Sequence, residues 1–248
     1  MSLRAVVFDL GHTLWDIGSY AEIEARAYPR VARRLAEALD GPVPDAQTIM
    51  DAAHRRFTQD AIEGWRGKLE QPPTAQMMDE ALREAGVVAP PPLVNEVCEL
   101  ALGPLNDAII ADDSIPEVLA ALRRRGLRLG CITNTVLSGA QIRGALAEHG
   151  LLEHLDSVVV SSEVGYRKPH PSLFRRALSD LGVEPAEAVF VGDRMPEDIA
   201  GAQAVGMRAI LTHQYRQEEP EGGTPDAIIA HLRELPAWVD RIASASRC

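Results

Sequence analysis

Four polar stretches hold the side chains of this sequence that could do chemistry together. Asp9 lies in VVFDLGHTLWD (6–16), Thr133 and Asn134 in LGCITN (129–134), Lys168 in GYRKPHP (165–171), and Asp193 with Asp198 in VGDRMPEDIAGAQAVGM (191–207). Carboxylates gathered in one place repel and need a cation. Oxygen ligands favour Mg²⁺, usually held by one or two carboxylates, waters and a substrate phosphate. A carboxylate beside such an ion and a lysine can attack phosphorus and form an aspartyl-phosphate. Lysine and metal then neutralise the transferring group, while a threonine hydroxyl and backbone N–H groups hold its other oxygens. Lys168 is one of only two lysines in the chain, the other being Lys68, which makes its position informative.

These residues need elements that bring them to one place. Short β-branched or aromatic runs precede each stretch: Ala5–Phe8, Arg128–Thr133, Ser157–Val160 and Ala188–Val191. Two more follow at Arg208–Leu211 and Ala227–Ile229. Between them lie helical patterns at Ile115–Arg125, Gly139–His149 (after Ser138 as N-cap), Pro171–Leu181 and Pro196–Val205. All four are followed by glycine, and three have proline at or near the start. Alternating buried strands and helices predict an α/β fold, a parallel sheet with helices on both faces. Ligands bind such sheets beyond the carboxyl ends of the strands, where all four polar stretches converge.

The segment from Gly18 to Gly103 breaks the alternation. Tyr28, Val31, Leu35 and Leu39 share one helical face, as do Ile49, Ala53, Phe57 and Ala61, and shorter helices are expected near Ala75–Ala85 and Leu93–Leu102. Pro/Gly-rich linkers (GPVP, EQPPT, APPP) separate them. The expected organisation is a core of residues 1–17 and 104–248 with an all-helical domain, 18–103, inserted after the first strand. QEEPEGG (217–223) reads as a polar surface loop.

Composition narrows the function classes. The chain has 248 residues, 46% hydrophobic and 25% charged, which is ordinary for a globular protein. A net charge of −11 repels phosphate backbones, so nucleic-acid binding is not expected as the main task. No apolar run approaches membrane-spanning length, and the N-terminus lacks a signal-peptide pattern. Cys98, Cys131 and Cys248 are far apart and form no metal or disulfide pattern, which suits a reducing cytoplasm.

The four stretches, in this order, resemble the haloacid dehalogenase-like (HAD) hydrolase superfamily, most of whose members are phosphatases. The resemblance implies a Rossmann-like core and a mobile helical cap. The short gap between Thr133 and Lys168 leaves no room for the superfamily's alternative cap position. It implies that Asp9 is the nucleophile and a Mg²⁺ ligand, Thr133 the phosphate-binding hydroxyl and Lys168 the charge-stabilising lysine. Asp193 and Asp198 would complete the metal site, with Asn134 lining the phosphate site. The superfamily's phosphatases usually have a second aspartate two residues after the nucleophile, as general acid and then base; here that position is Gly11. Its backbone carbonyl can still serve Mg²⁺, but protonation of the leaving group has no assigned donor. His12 stands beside it as a phosphate-site residue and substitute acid. The expected activity is removal of phosphate from a small phosphorylated metabolite. Carbon–phosphorus or carbon–halogen hydrolysis, or phosphate binding with little turnover, stay open because of Gly11. Lys68 and Trp15 are further candidates, the first as a substrate contact or a solvated helix-end cation, the second as a hinge or packing residue. Substrate and oligomeric state are not encoded in any motif.

Overall fold

The computed structural model describes residues 3–220 and 223–245, so part of the QEEPEGG stretch (Glu221 and Gly222) and Cys248 lie outside the described residues. Among the described residues, eight strands run in chain order: β1 (Ala5–Phe8), β2 (Trp15–Ile17), β3 (Ile109–Ala111), β4 (Arg128–Thr133), β5 (Ser157–Val160), β6 (Ala188–Gly192), β7 (Arg208–Thr212) and β8 (Ala227–Ile229). Six form one sheet in the order β5-β4-β1-β6-β7-β8, and every neighbouring pair is parallel. β1 therefore sits between β4 and β6, with Phe8 level with Cys131 on one side and Val191 on the other. This central position explains its sequence: Ala5, Val6, Val7 and Phe8 are all fully buried, so no polar alternation is possible.

The helices are α1 (Ala21–Ala38), α2 (Ala46–Trp65), α3 (Thr74–Glu84), α4 (Pro91–Leu102), α5 (Ile115–Arg124), α6 (Gly139–Glu148), α7 (Ser161–Val164), α8 (Pro171–Leu181), α9 (Ala200–Ala204) and α10 (Leu235–Ala245). The local signals act as expected. Ser138 and Gln141 form a reciprocal capping box at the start of α6, and Gly182 ends α8 at φ 58°. Phe174 of α8 meets Phe190 of β6 edge to face, at 5.3 Å between centroids. Burying each such ring contributes about 2 kcal/mol.

The chain divides into two compact units. One runs through Ile17 and resumes at Ile110; the other is Gly18–Ile109. The second contains α1–α4 and Gly103–Ala108, a 3₁₀ turn that packs on α1 and α4. The return to the first unit therefore falls after Ile109, rather than at residue 103. Ile23, Ala27, Tyr28, Val31 and Leu35 form the buried stripe of α1. Apart from the main sheet, β2 and β3 pair as a separate two-stranded sheet. Three-residue strands of this kind show no hydrophobic period, and neither is expected from the sequence.

The helix expected over 196–205 differs in detail. Met195–Ile199 is a π turn that leads into α9. Gly201 of α9 explains part of the geometry: a Cβ there would lie 2.8 Å from the Phe174 ring and 2.9 Å from Pro169. Only a glycine permits so close an approach between this segment and α8.

Candidate active site

The carboxyl ends of β1, β4 and β6 are adjacent, and the polar residues that follow them come together. Asp9 follows β1, and its backbone N–H donates to the Val191 carbonyl at 2.9 Å. Thr133 closes β4 and is buried. Asp193 follows β6. The Lys168 loop reaches the same place: Lys168 Nζ donates to Asp9 Oδ1 at 2.5 Å and to Asp198 Oδ1 at 2.7 Å. Its ammonium also lies 5.3 Å from the centroid of the Phe190 ring. Lys168 is 3% exposed, so a chance surface lysine is excluded.

Asp198 is fixed by the loop it belongs to. Its Oδ2 accepts the backbone N–H groups of Asp193 (3.1 Å) and Arg194 (3.0 Å). Gly192 makes this possible, because a Cβ there would overlap the Asp198 carboxylate. Asp193 is 2% exposed, and its Oδ2 makes no hydrogen bond, although Arg216 Nη2 ion-pairs with it.

Asn134 acts on Lys168 through the main chain. Its Oδ1 accepts the Lys168 N–H at 2.7 Å, and its Nδ2 donates to the Lys168 carbonyl at 3.2 Å. Both polar ends of the amide are thus engaged by the lysine backbone, where the resemblance led us to expect a phosphate contact. The Lys168–Pro169 peptide is cis.

Gly11 and His12 occupy the turn after Asp9. Gly11 bridges to Trp15, and the His12 N–H donates to the Trp15 carbonyl at 2.7 Å. His12 has φ 59°, uncommon for a residue with a side chain, and its Nδ1 pairs with Asp16 Oδ1 at 2.7 Å. Trp15 is buried beside the His149 ring. Lys68 lies in the helical unit, half-exposed and paired with Glu63 at 2.7 Å.

The electrostatics follow from burial. Asp9, Asp193 and Asp198 each offer a carboxylate oxygen within 4.8 Å of the others, and all three are buried. Burial pushes Asp9 up to about 6 against the pull of Lys168. Burial, then Asp9 and Asp198, push Asp193 up to about 8 against the pull of Arg216. Burial opposes the Lys168 ammonium, but Asp198 and Asp9 outweigh it and hold its pKa above the usual lysine range. Three buried acids share a deficit of positive charge, and one of their oxygens lacks a hydrogen bond. This all-oxygen donor set fits a hard divalent cation such as Mg²⁺.

Arg216, in the segment after β7, is the residue that sequence reasoning missed. It lies outside the four stretches, and only the parallel sheet order brings the end of β7 beside the end of β6.

Comparison with known proteins gives a consistent picture. Residues 3–206 match the family model described as haloacid dehalogenase-like hydrolase. The phosphoserine phosphatase of Thermus thermophilus is 34% identical over 240 residues, which covers 94% of this chain and 90% of that protein. The glyceraldehyde 3-phosphate phosphatase of Methanopyrus kandleri is 31% identical over 253 residues, covering 97% and 99%. Among solved structures, the 2-haloacid dehalogenase of Pseudomonas syringae pv. Tomato superposes with a TM-score of 0.69 at 28% identity. That match covers 97% of this chain and 100% of the other. Among the described residues, no helix is long and apolar enough to cross a membrane.

Proposed function

The chain belongs to the haloacid dehalogenase-like hydrolases, and from that premise we propose that it is a Mg²⁺-dependent phosphatase of small phosphorylated metabolites, acting in the cytoplasm. The observation that carries this reading is the buried triad of Asp9, Asp193 and Asp198 with Lys168 bonded across two of its members. The two phosphatases similar along nearly the whole chain support the same chemistry. Asp9, Asp193, Asp198 and the Gly11 carbonyl would hold the metal ion. When bound, Mg²⁺ supplies positive charge that offsets the carboxylates and the phosphoryl oxygens.

The chain's own residues perform the transfer. Asp9, with its pKa raised to about 6 when no metal is present, is ionised at neutral pH. One of its oxygens attacks phosphorus, and the bond from phosphorus to the substrate oxygen breaks as the aspartyl-phosphate forms. Lys168 is held at the nucleophile and neutralises charge on the transferring group, and the Thr133 hydroxyl donates to one of its oxygens. Asn134 positions Lys168 through the two backbone hydrogen bonds. Water then attacks the phosphorus of the aspartyl-phosphate, releasing inorganic phosphate and restoring Asp9. The helical unit acts as a cap that excludes water and selects the substrate. Gly11 offers no carboxyl to protonate the departing oxygen, which favours substrates whose leaving group departs readily as an anion, such as acyl or aryl phosphates.

The test is Asp9→Asn, with Mg²⁺ and p-nitrophenyl phosphate. Loss of phosphate release in a folded variant supports the reading, and undiminished turnover overturns it. A second reading, carbon–halogen hydrolysis, draws on Gly11 and on the likeness to a 2-haloacid dehalogenase. It needs no metal, so the retained Asp193 and Asp198 count against it. Metal-independent chloride release from 2-chloropropionate would favour it.

A further inference from the structure

The triad has one more charged neighbour that the mechanism does not use. Arg216 Nη2 is ion-paired with Asp193 Oδ2 and lies 3.7 Å from Glu218 Oε2. Arg216 Nε and Nη2, like Asp193 Oδ2, are shut off from solvent yet make no aligned hydrogen bond. The pair is therefore held by charge rather than by directional fit.

The segment around Arg216 is fastened on both sides. Gln214 Nε2 donates to Asp112 Oδ2 (3.1 Å), and its Oε1 accepts the Leu232 N–H (2.9 Å). The Tyr215 hydroxyl accepts the Asp112 N–H at 3.2 Å. On the other side, Glu218 Oε1 accepts the Met195 N–H at 2.8 Å, which ties the segment directly to the Asp193 loop. Arg216 is thus delivered to Asp193 by an anchored loop, with Glu218 as a second carboxylate within reach.

We propose that Arg216 is a built-in competitor of the divalent cation, occupying Asp193 and setting how tightly the acidic triad takes Mg²⁺. This rests on the reading of the triad as a metal site. An arginine cannot lose its charge, so the guanidinium itself stays a cation beside Asp193 at every working pH. A cation binding to the triad must share Asp193 with it or displace it. Glu218 gives the displaced guanidinium an alternative partner, so the exchange leaves no buried charge alone. The consequence is a lowered affinity: half-filling the site takes more divalent cation than it would without the arginine.

Isothermal titration of the metal-free protein with Mg²⁺, and with Mn²⁺ followed by electron paramagnetic resonance, tests this without any turnover. Arg216→Gln should bind either ion roughly tenfold more tightly, within the usual range of coupling between sites. Arg216→Lys should stay near wild type. Glu218→Gln, which removes the alternative partner, should bind more weakly. In thermal unfolding, Arg216→Gln should fall below wild type in EDTA and rejoin it at saturating Mg²⁺; a merely structural role would leave the same gap in both. Unchanged or weaker binding by Arg216→Gln, while wild type binds normally, overturns the proposal and leaves the metal site standing. Should Arg216→Gln fail to fold, tighter or unchanged binding by Glu218→Gln overturns it. No binding by any of the proteins overturns both.

Discussion

Gly11→Asp returns a carboxyl to the position from which a leaving oxygen would be protonated, and its effect can be worked out from the structure. Gly11 is not among the glycines with positive φ, so a side chain causes no backbone strain there. A Cβ at this position would meet Ile17 Cδ1 at 3.1 Å, the free end of a flexible side chain that must give by a few tenths of an ångström. Such overpacking costs about 1 kcal/mol, a fall in melting temperature of roughly 2–4 °C for a chain of this size. General acid catalysis is typically worth about 10²–10⁴-fold. Because Ile17 must yield, a gain of roughly 10²-fold in kcat/KM on an alkyl phosphate such as glycerol phosphate is expected, at the low end of that range. p-Nitrophenolate leaves without a proton, so p-nitrophenyl phosphate should change by no more than about threefold. The assay is the ratio of the two rates, variant against wild type. An equal gain on both substrates, or no gain on the alkyl phosphate in a folded variant, would refute the assignment of Gly11 as the missing proton donor's position.

Other expectations follow from the same site. Lys168→Met should cost about 3–5 kcal/mol, because Asp9 and Asp198 lose their buried counter-charge; chemical denaturation of the metal-free protein measures it. Asn134→Ala removes both hydrogen bonds that seat the Lys168 backbone and should lower kcat roughly 10²-fold, the scale of a 1 Å misplacement, with little change in Mg²⁺ affinity by calorimetry. The pH dependence of stability has a definite sign. Asp9 and Asp193 titrate at about 6 and about 8 when folded, above the ordinary carboxylate value of 3.8, so the folded state binds more protons between these limits. Metal-free stability should therefore fall as pH rises from about 4 to 8, a window in which Lys168 stays protonated in both states and contributes no slope. Saturating Mg²⁺ should flatten that decline, and melting temperatures in EDTA and in Mg²⁺ across the window check it.

How far the sequence was readable depended on the range of the interaction involved. β1, β4, β5 and β8 have the bounds their apolar runs suggest; in β1 a strand buried on both faces leaves no room for polar residues, whereas β8 is an edge strand with Ile228 exposed and is marked only by its short apolar run. The start of α6 was readable because Ser138 and Gln141 are a local, reciprocal cap. The π turn at Met195–Ile199 was not. It follows from the Asp198 carboxylate bonding back to the Asp193 and Arg194 N–H groups, which competes with ordinary helical turns. Asp9, Lys168, Asp193 and Asp198 could be nominated because their residue types already suggest a charge cluster. The engagement of Asn134 by the Lys168 backbone could not be read, since an amide beside a phosphate site and an amide bracing a loop look alike in one dimension. Arg216 was invisible for a stronger reason: its partner lies on a different loop, and no spacing along the chain links them.

The pairing of β2 with β3 has a consequence for what the fold can tolerate. Gly18 donates its N–H to the Ala108 carbonyl at 2.8 Å, so the two ends of the helical segment already touch where it departs and returns. Once ends meet, lengthening what hangs between them adds only about 0.6 kcal/mol of closure entropy per doubling. A longer, shorter or wholly different insert grafted between residues 18 and 108 would therefore be expected to leave the register of the parallel sheet as it is.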